Sequence, residues 1–190
     1  MAEARLSDGQ RLLAVNDLFL GPRRHATAAY VLQHGDRTEA QWSSGLIVST
    51  GLGATGWLGS ILDGAAALGG ALGQDLDPRP LTEGLTWGSR YLLFAVRVPY
   101  AGTAGRTVLV YGRVDARTPL VLESRMAEEG DRPAFSLGYG LCFGHNETKA
   151  IAMAVLDRAL SGPASAAPSE DQEFVLTHVD GLESMGFCTH

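Results

Sequence analysis

Residues 43–60 read SSGLIVSTGLGATGWLGS. The run at 46–50, LIVST, has the length and β-branched content of a short buried strand. It breaks at Gly51, Leu52, Gly53 and Ala54. The next apolar residues, Trp57, Leu58, Ile61, Leu62, Ala65 and Leu68, then recur every three or four positions, the period of an amphipathic helix. Thr55 stands where an N-cap hydroxyl belongs. A strand that runs through a Gly/Ser/Thr turn into a helix is a candidate ligand cradle. Glycine lets backbone N–H groups approach an anion or a ribose closely, hydroxyls supply short hydrogen bonds, and the helix N-terminus adds partial positive charge.

Working outward, residues 12–20 (LLAVNDLFL) read as one strand interrupted by Asn16 and Asp17 and ended by Gly21-Pro22. Residues 29–34 and 37–42 flank Gly35-Asp36 as a hairpin. Beyond the helix, Gly69-Gly70 and residues 75–80 favour a loop, and residues 91–98, 107–113 and 120–123 return to strand composition. Asn146 opens a segment in which Ile151, Val155, Leu156 and Ala159 line one helical face, and Gly162-Pro163 ends it. Residues 161–171 (SGPASAAPSED) read as a linker, so residues 164–190 are expected to be dispensable for the fold. Residues 173–179 read as a strand or a frayed end. The pattern predicts a mainly β (α+β) protein, with one helix after the glycine-rich turn and a second near the C-terminus. Two parts are expected, a domain at 10–130 and a divergent segment at 131–190.

The chain has 190 residues, 45% of them hydrophobic, enough for one sizeable core. With 15 basic against 21 acidic residues it carries a formal charge of −6 and no basic stripe, which argues against nucleic acid as a partner. The opening residues lack an apolar secretory core, and the run at 150–156 is far shorter than the roughly 20 residues that span a bilayer. A cytoplasmic protein with no membrane helix is expected.

Taken with Ala14, Val15, Asn16 and Asp17, the central stretch resembles the NAD kinase family. There an Asn-Glu pair in a strand precedes a Gly-Leu-Ile-Val-Ser-Thr-Pro-Thr-Gly-Ser-Thr-Ala-Tyr motif; here the pair is Asn16-Asp17 and the motif runs from Gly45 to Trp57. The Ser-Ser-Gly start and Gly-Trp ending are similar to the branch of mitochondrial-type NAD kinases and proteins labelled sugar kinases. Residues 94–99 (FAVRVP) and 122–126 (LESRM) also look like segments of that branch. The resemblance covers residues 10–130. It implies the C-terminal β domain of such an enzyme, in which ATP and Mg²⁺ serve phosphorylation of the adenosine ribose 2′-hydroxyl of NAD to give NADP. It further implies that Asn16 and Asp17 contact the adenosine and ribose of NAD, and that Thr55, Gly56, Trp57 and Ser60 line the same pocket. Ser44 stands where many members carry aspartate, and a homo-oligomer is implied because such domains take part in subunit contacts.

The family's Gly-Gly-Asp-Gly-Thr motif, with its catalytic aspartate, does not occur in this sequence, so no catalytic residue is assigned and the chain alone is expected to be inactive. Residues 131–190 do not align with the family; a shifted reading frame, a fused segment or a divergent ending would each produce this, and together with the missing half of the family's sequence it points to a gene fragment. A non-catalytic, β-rich NAD-binding or oligomerisation module is the alternative. Cys142, His145, Cys188 and His190 form a second candidate constellation, for zinc, but the Cys-Thr-His spacing at the terminus is tighter than in common zinc sites.

Overall fold

A computed structural model describes residues 1–7, 9, 11–22, 27–100, 107–126, 135–140 and 173–178. The strands are β1 (Ala2–Leu6), β2 (Arg11–Ala14), β3 (Asp17–Pro22), β4 (Ala28–His34), β5 (Arg37–Ser43), β6 (Leu46–Ser49), β7 (Leu92–Val96), β8 (Tyr111–Val114), β9 (Leu120–Ser124), β10 (Phe135–Gly140) and β11 (Glu173–His178). A wide helical turn, Ala54–Leu58, leads into α1 (Gly59–Ala71), and α2 (Arg79–Thr82) is a single turn. All strand pairings are antiparallel, in a six-stranded sheet ordered β2-β1-β11-β9-β4-β5 and a five-stranded sheet ordered β10-β3-β6-β7-β8. The fold is mainly β, as the sequence pattern predicts.

The inner strands of the five-stranded sheet explain the layering. Side chains alternate between faces along a strand, and β3, β6 and β7 are apolar at nearly every position, which fits a sheet covered on both sides. Leu18, Leu20, Leu46, Val48, Leu92, Phe94 and Val96 join Ala2, Ala4, Tyr30, Leu32, Leu120 and Leu122 in the core between the sheets. Phe19, Ile47, Leu93 and Ala95 face the other way, onto Trp57, Leu58, Ile61 and Leu62. The molecule is thus layered as sheet, sheet, helix. The β4–β5 hairpin follows the sequence reading: His34 pairs with Arg37 across Gly35-Asp36, and Gly35 has φ +58°.

Several expectations need correction. Residues 12–20 are not one strand. The chain leaves the six-stranded sheet after Ala14 and enters the other at Asp17, so Val15 and Asn16 form the crossing between layers. Here Thr50 replaces a ladder partner: its N–H donates to the Asn16 carbonyl at 2.9 Å and its hydroxyl to the Val15 carbonyl at 2.5 Å. Thr55 is not an N-cap. Helical geometry begins after Gly53, which has no side chain to cap with, and continues through a kink at Gly56 into α1, whose own start has no side-chain cap either. At 107–113 only the end is strand; Val108 and Leu109 N–H groups are taken instead by the Glu39 carboxylate.

Two strands come from beyond residue 130. β10 pairs with β3, bringing Gly140 opposite Asp17. β11 lies between β1 and β9, with Phe174 opposite Leu6 and Leu122. A segment in the middle of a sheet is not dispensable, so the expectation that residues 164–190 can be removed fails on this pairing. The helix expected around Ile151 to Ala159, the linker at 161–171, and Cys142, His145, Cys188 and His190 lie outside the described residues. Among the described residues, no helix is long and apolar enough to cross a membrane.

Candidate functional site

The expected site residues divide into two neighbouring groups along the helix-covered face. At one end are Asn16 and Asp17, each 1% exposed. The turn that follows β6 passes directly over them. Thr50 Oγ1 accepts the Leu52 and Gly53 N–H groups at 3.1 and 3.3 Å, which closes the turn. A Cβ placed on Gly53 would stand 2.6 Å from the Asn16 carbonyl oxygen and 2.7 Å from Asp17 Oδ1. On the turn's other flank, a Cβ on Gly51 would stand 1.8 Å from the Thr86 carbonyl oxygen. The two glycines therefore let the turn thread between Asn16-Asp17 and the loop at 84–89.

The side chains below this turn are polar and under-satisfied. Among the described residues, Asn16 Oδ1 and Nδ2 and Asp17 Oδ1 are buried without a hydrogen-bond partner. Burial pushes the Asp17 carboxyl up to about 6, and the hydroxyl of Ser49, its cross-strand partner, opposes the shift. Gly53, at the start of the helical turn, sits over this carboxyl.

At the other end Trp57 stacks on Phe19, ring centroids 5.2 Å apart and planes inclined by 26°. The Arg97 guanidinium lies over both rings, 4.8 Å from the Trp57 centroid and 5.5 Å from that of Phe19. Gly45 provides the space: with φ +96°, it leaves room for the Phe19 ring where its own Cβ would stand 2.7 Å from Cε2. Arg97 N donates to the Gly45 carbonyl at 2.8 Å and Ser44 N to the Arg97 carbonyl at 3.0 Å, which joins Ser44 to this end. Asp17 is level with Ser49 and Leu93 across the sheet, and Arg97 follows Leu93 by four residues. Along the strands the Arg97 backbone is thus about 13 Å from the level of Asp17 at roughly 3.3 Å per residue, while Phe19, under Trp57, is two residues or about 7 Å from it. Gly56 is half-buried at the kink, Thr55 is exposed, and the exposed Ser60 donates to the Gly56 carbonyl at 3.1 Å.

Phe19 and Arg97 were not among the expected site residues. Their signal in the sequence is strand alternation: Asp17 and Phe19 share a face of β3, and Arg97 continues the face of Leu93 and Ala95. No group of three or more His, Cys, Asp or Glu among the described residues could hold a metal ion.

The family model described as bacterial phosphonate metabolism protein (PhnI) matches residues 95–190, half of the chain. The chain belongs to the PhnI family. It is 63% identical over 71 residues to the putative C-P lyase subunit protein HtxH of Stutzerimonas stutzeri, covering 33% of this chain and 18% of that protein. It is 49% identical over 65 residues to the α-D-ribose 1-methylphosphonate 5-triphosphate synthase subunit PhnI of Escherichia coli K12, covering 32% and 18%. The subunit of the same name in Rhizobium meliloti 1021 is 45% identical over 62 residues, covering 30% and 17%. The matches span about a fifth of the length of these relatives.

Membership of the PhnI family overturns the NAD kinase reading. The family assignment, the phosphotransferase activity, NADP formation, and ATP, Mg²⁺ and NAD as substrates or cofactors are all withdrawn. The fold itself is shared. Yeast NADH kinase complexed with NADH has a similar structure, with a TM-score of 0.51 at 11% identity, covering 94% of this chain and 39% of that one. Likeness at that identity concerns the fold alone. It fits the steric origin of the motif, since Gly45, Gly51 and Gly53 are each required by a close backbone or ring approach.

Proposed function

We propose that this PhnI-family chain works in phosphonate metabolism as a subunit of an assembly like the α-D-ribose 1-methylphosphonate 5-triphosphate synthase. The observation that carries the proposal is the match of residues 95–190 to the PhnI model, supported by relatives that are themselves named as subunits. The named product of the synthase contains a ribose, an alkylphosphonate and a triphosphate, so its recognition calls for acceptors for sugar hydroxyls and donors for anionic oxygens.

The helix-covered face supplies both kinds of group. In this reading Ser44, Thr55, Gly56, Trp57 and Ser60 form the ligand-facing side. Asn16 and Asp17 lie buried beneath the turn, where they set its position. The arrangement suits binding and orientation, and it assigns no bond-making step to this chain. The oligomer expected from sequence is read here as an assembly with partner subunits. Co-expression of the chain with the remaining subunits of the Escherichia coli synthase, followed by size-exclusion chromatography, tests the reading: the chain is expected to co-elute with them.

A further inference from the structure

We infer that Arg97, held over the stacked rings of Phe19 and Trp57, is the receptor for a tetrahedral oxyanion, a phosphonate or phosphate group. The inference rests on the subunit reading above and adds to it a residue and a ligand chemistry. A cation–π contact holds an arginine near aromatic rings without using up its N–H donors, which stay available to other partners. Among the described residues no carboxylate or carbonyl acceptor meets the Arg97 guanidinium. By contrast Arg5 and Arg11 meet Glu3, Arg79 meets Asp77, Arg113 meets Asp115 and Arg125 meets Glu123. Arg97 thus lies close to two rings with no anion on its guanidinium among the described residues, and the guanidinium fork suits bidentate contact with a tetrahedral oxyanion.

The backbone at this position gives a second, independent observation. Val98 has φ +45°, the one non-glycine residue with positive φ among those described, and it is β-branched and 73% exposed. Its side chain is not buried in compensation for the unfavourable conformation. What holds it there is the pinning on either side: Arg97 N to the Gly45 carbonyl, Ser44 N to the Arg97 carbonyl, and Tyr100 N to the Trp42 carbonyl at 2.8 Å. The strained residue therefore fixes the backbone from which Arg97 reaches over Phe19 and Trp57. Such strain is typical of ligand clamps.

The test uses the full chain, without partner subunits, titrated by calorimetry at constant ionic strength with methylphosphonate in one series and inorganic phosphate in the other. Saturable binding in the millimolar range is expected, about −4 kcal/mol. Methylphosphonate should bind at least as tightly, since its methyl group can rest on the Trp57 ring. Tighter methylphosphonate binding assigns the site to phosphonates, and tighter phosphate binding assigns it to phosphate esters. Arg97→Gln should weaken binding about tenfold and Arg97→Lys, which keeps the charge without the fork, several-fold. Arg79→Gln, at an exposed and already paired arginine, should change nothing. The Lys variant keeps the proposal open to test if the Gln variant does not fold. Absence of saturable binding to either anion, or unchanged binding by Arg97→Gln or Arg97→Lys, overturns the proposal. Because partner subunits play no part, failure here is distinct from failure to co-elute with them.

Discussion

Gly53 lies so close over Asp17 that a Cβ on the glycine would stand 2.7 Å from the carboxylate Oδ1, with the Asn16 carbonyl carbon at 2.8 Å on the same side. Two of the atoms it would meet are backbone atoms at the crossing between the sheets, so they cannot move aside as the end of a flexible side chain would. Gly53→Ala is therefore expected to destabilise the fold by about 2–3 kcal/mol. At Gly64, in the exposed middle of α1, a Cβ would meet nothing within 4 Å, and Gly64→Ala should stabilise by roughly 0.5–1 kcal/mol. Urea denaturation of the two variants checks both signs.

The buried Asp17 carboxyl predicts a definite pH dependence. Its folded value, about 6, lies above the ordinary 3.8 because burial penalises the charged form. Between those values the folded state binds more protons than the unfolded state, so the group's contribution to stability falls as pH rises through this window and is constant above it. The interval corresponds to on the order of 3 kcal/mol. Asp17→Asn should leave stability at pH 4 nearly unchanged and raise it at pH 7.5, flattening the curve between. Equal stability of the variant and the parent chain at pH 7.5 would show that the carboxylate is not desolvated.

Val98 offers a test of backbone strain. Asparagine tolerates the left-handed region that valine disfavours, and the exposed valine side chain contributes little packing. Val98→Asn is expected to stabilise the chain by about 1 kcal/mol, read as a shift in the denaturation midpoint at constant slope.

The position of β11 predicts that the C-terminal residues are needed for folding. With β11 absent, the facing edges of β1 and β9 would lose their ladder partners. Truncation after Pro163 should abolish cooperative unfolding. A truncated chain with a sharp transition near that of the full chain would contradict the pairing.

Much of the fold is legible in short stretches. LLFAV and LIVS are apolar at nearly every position because they form inner strands covered on both faces, and the Gly35-Asp36 turn declares its hairpin. The division of residues 12–20 between two sheets is not legible, since Asn16 and Asp17 look the same as a bulge in one strand. Nor is the place of β11, which depends on pairing Ala2 with His178 from the far end of the chain. For the site, the turn and Trp57 stand out by composition, whereas Phe19 and Arg97 emerge only once the registers of β3, β6 and β7 are known. The resemblance to NAD kinases follows from the same glycines that let the turn pass Asn16 and Thr86, a requirement of the fold whatever ligand is bound. The family is carried largely by residues 95–190, most of which fall outside that resemblance.

The most direct measurement of the central claim is co-elution. The full chain, co-expressed with the other subunits of the Escherichia coli α-D-ribose 1-methylphosphonate 5-triphosphate synthase in place of that protein's own PhnI, is passed over a size-exclusion column, and the high-mass peak is assayed for it. Membership in such an assembly predicts that the chain elutes with its partners in fixed proportion. Elution wholly at the mass of the free chain, with partner subunits present and folded, would contradict it.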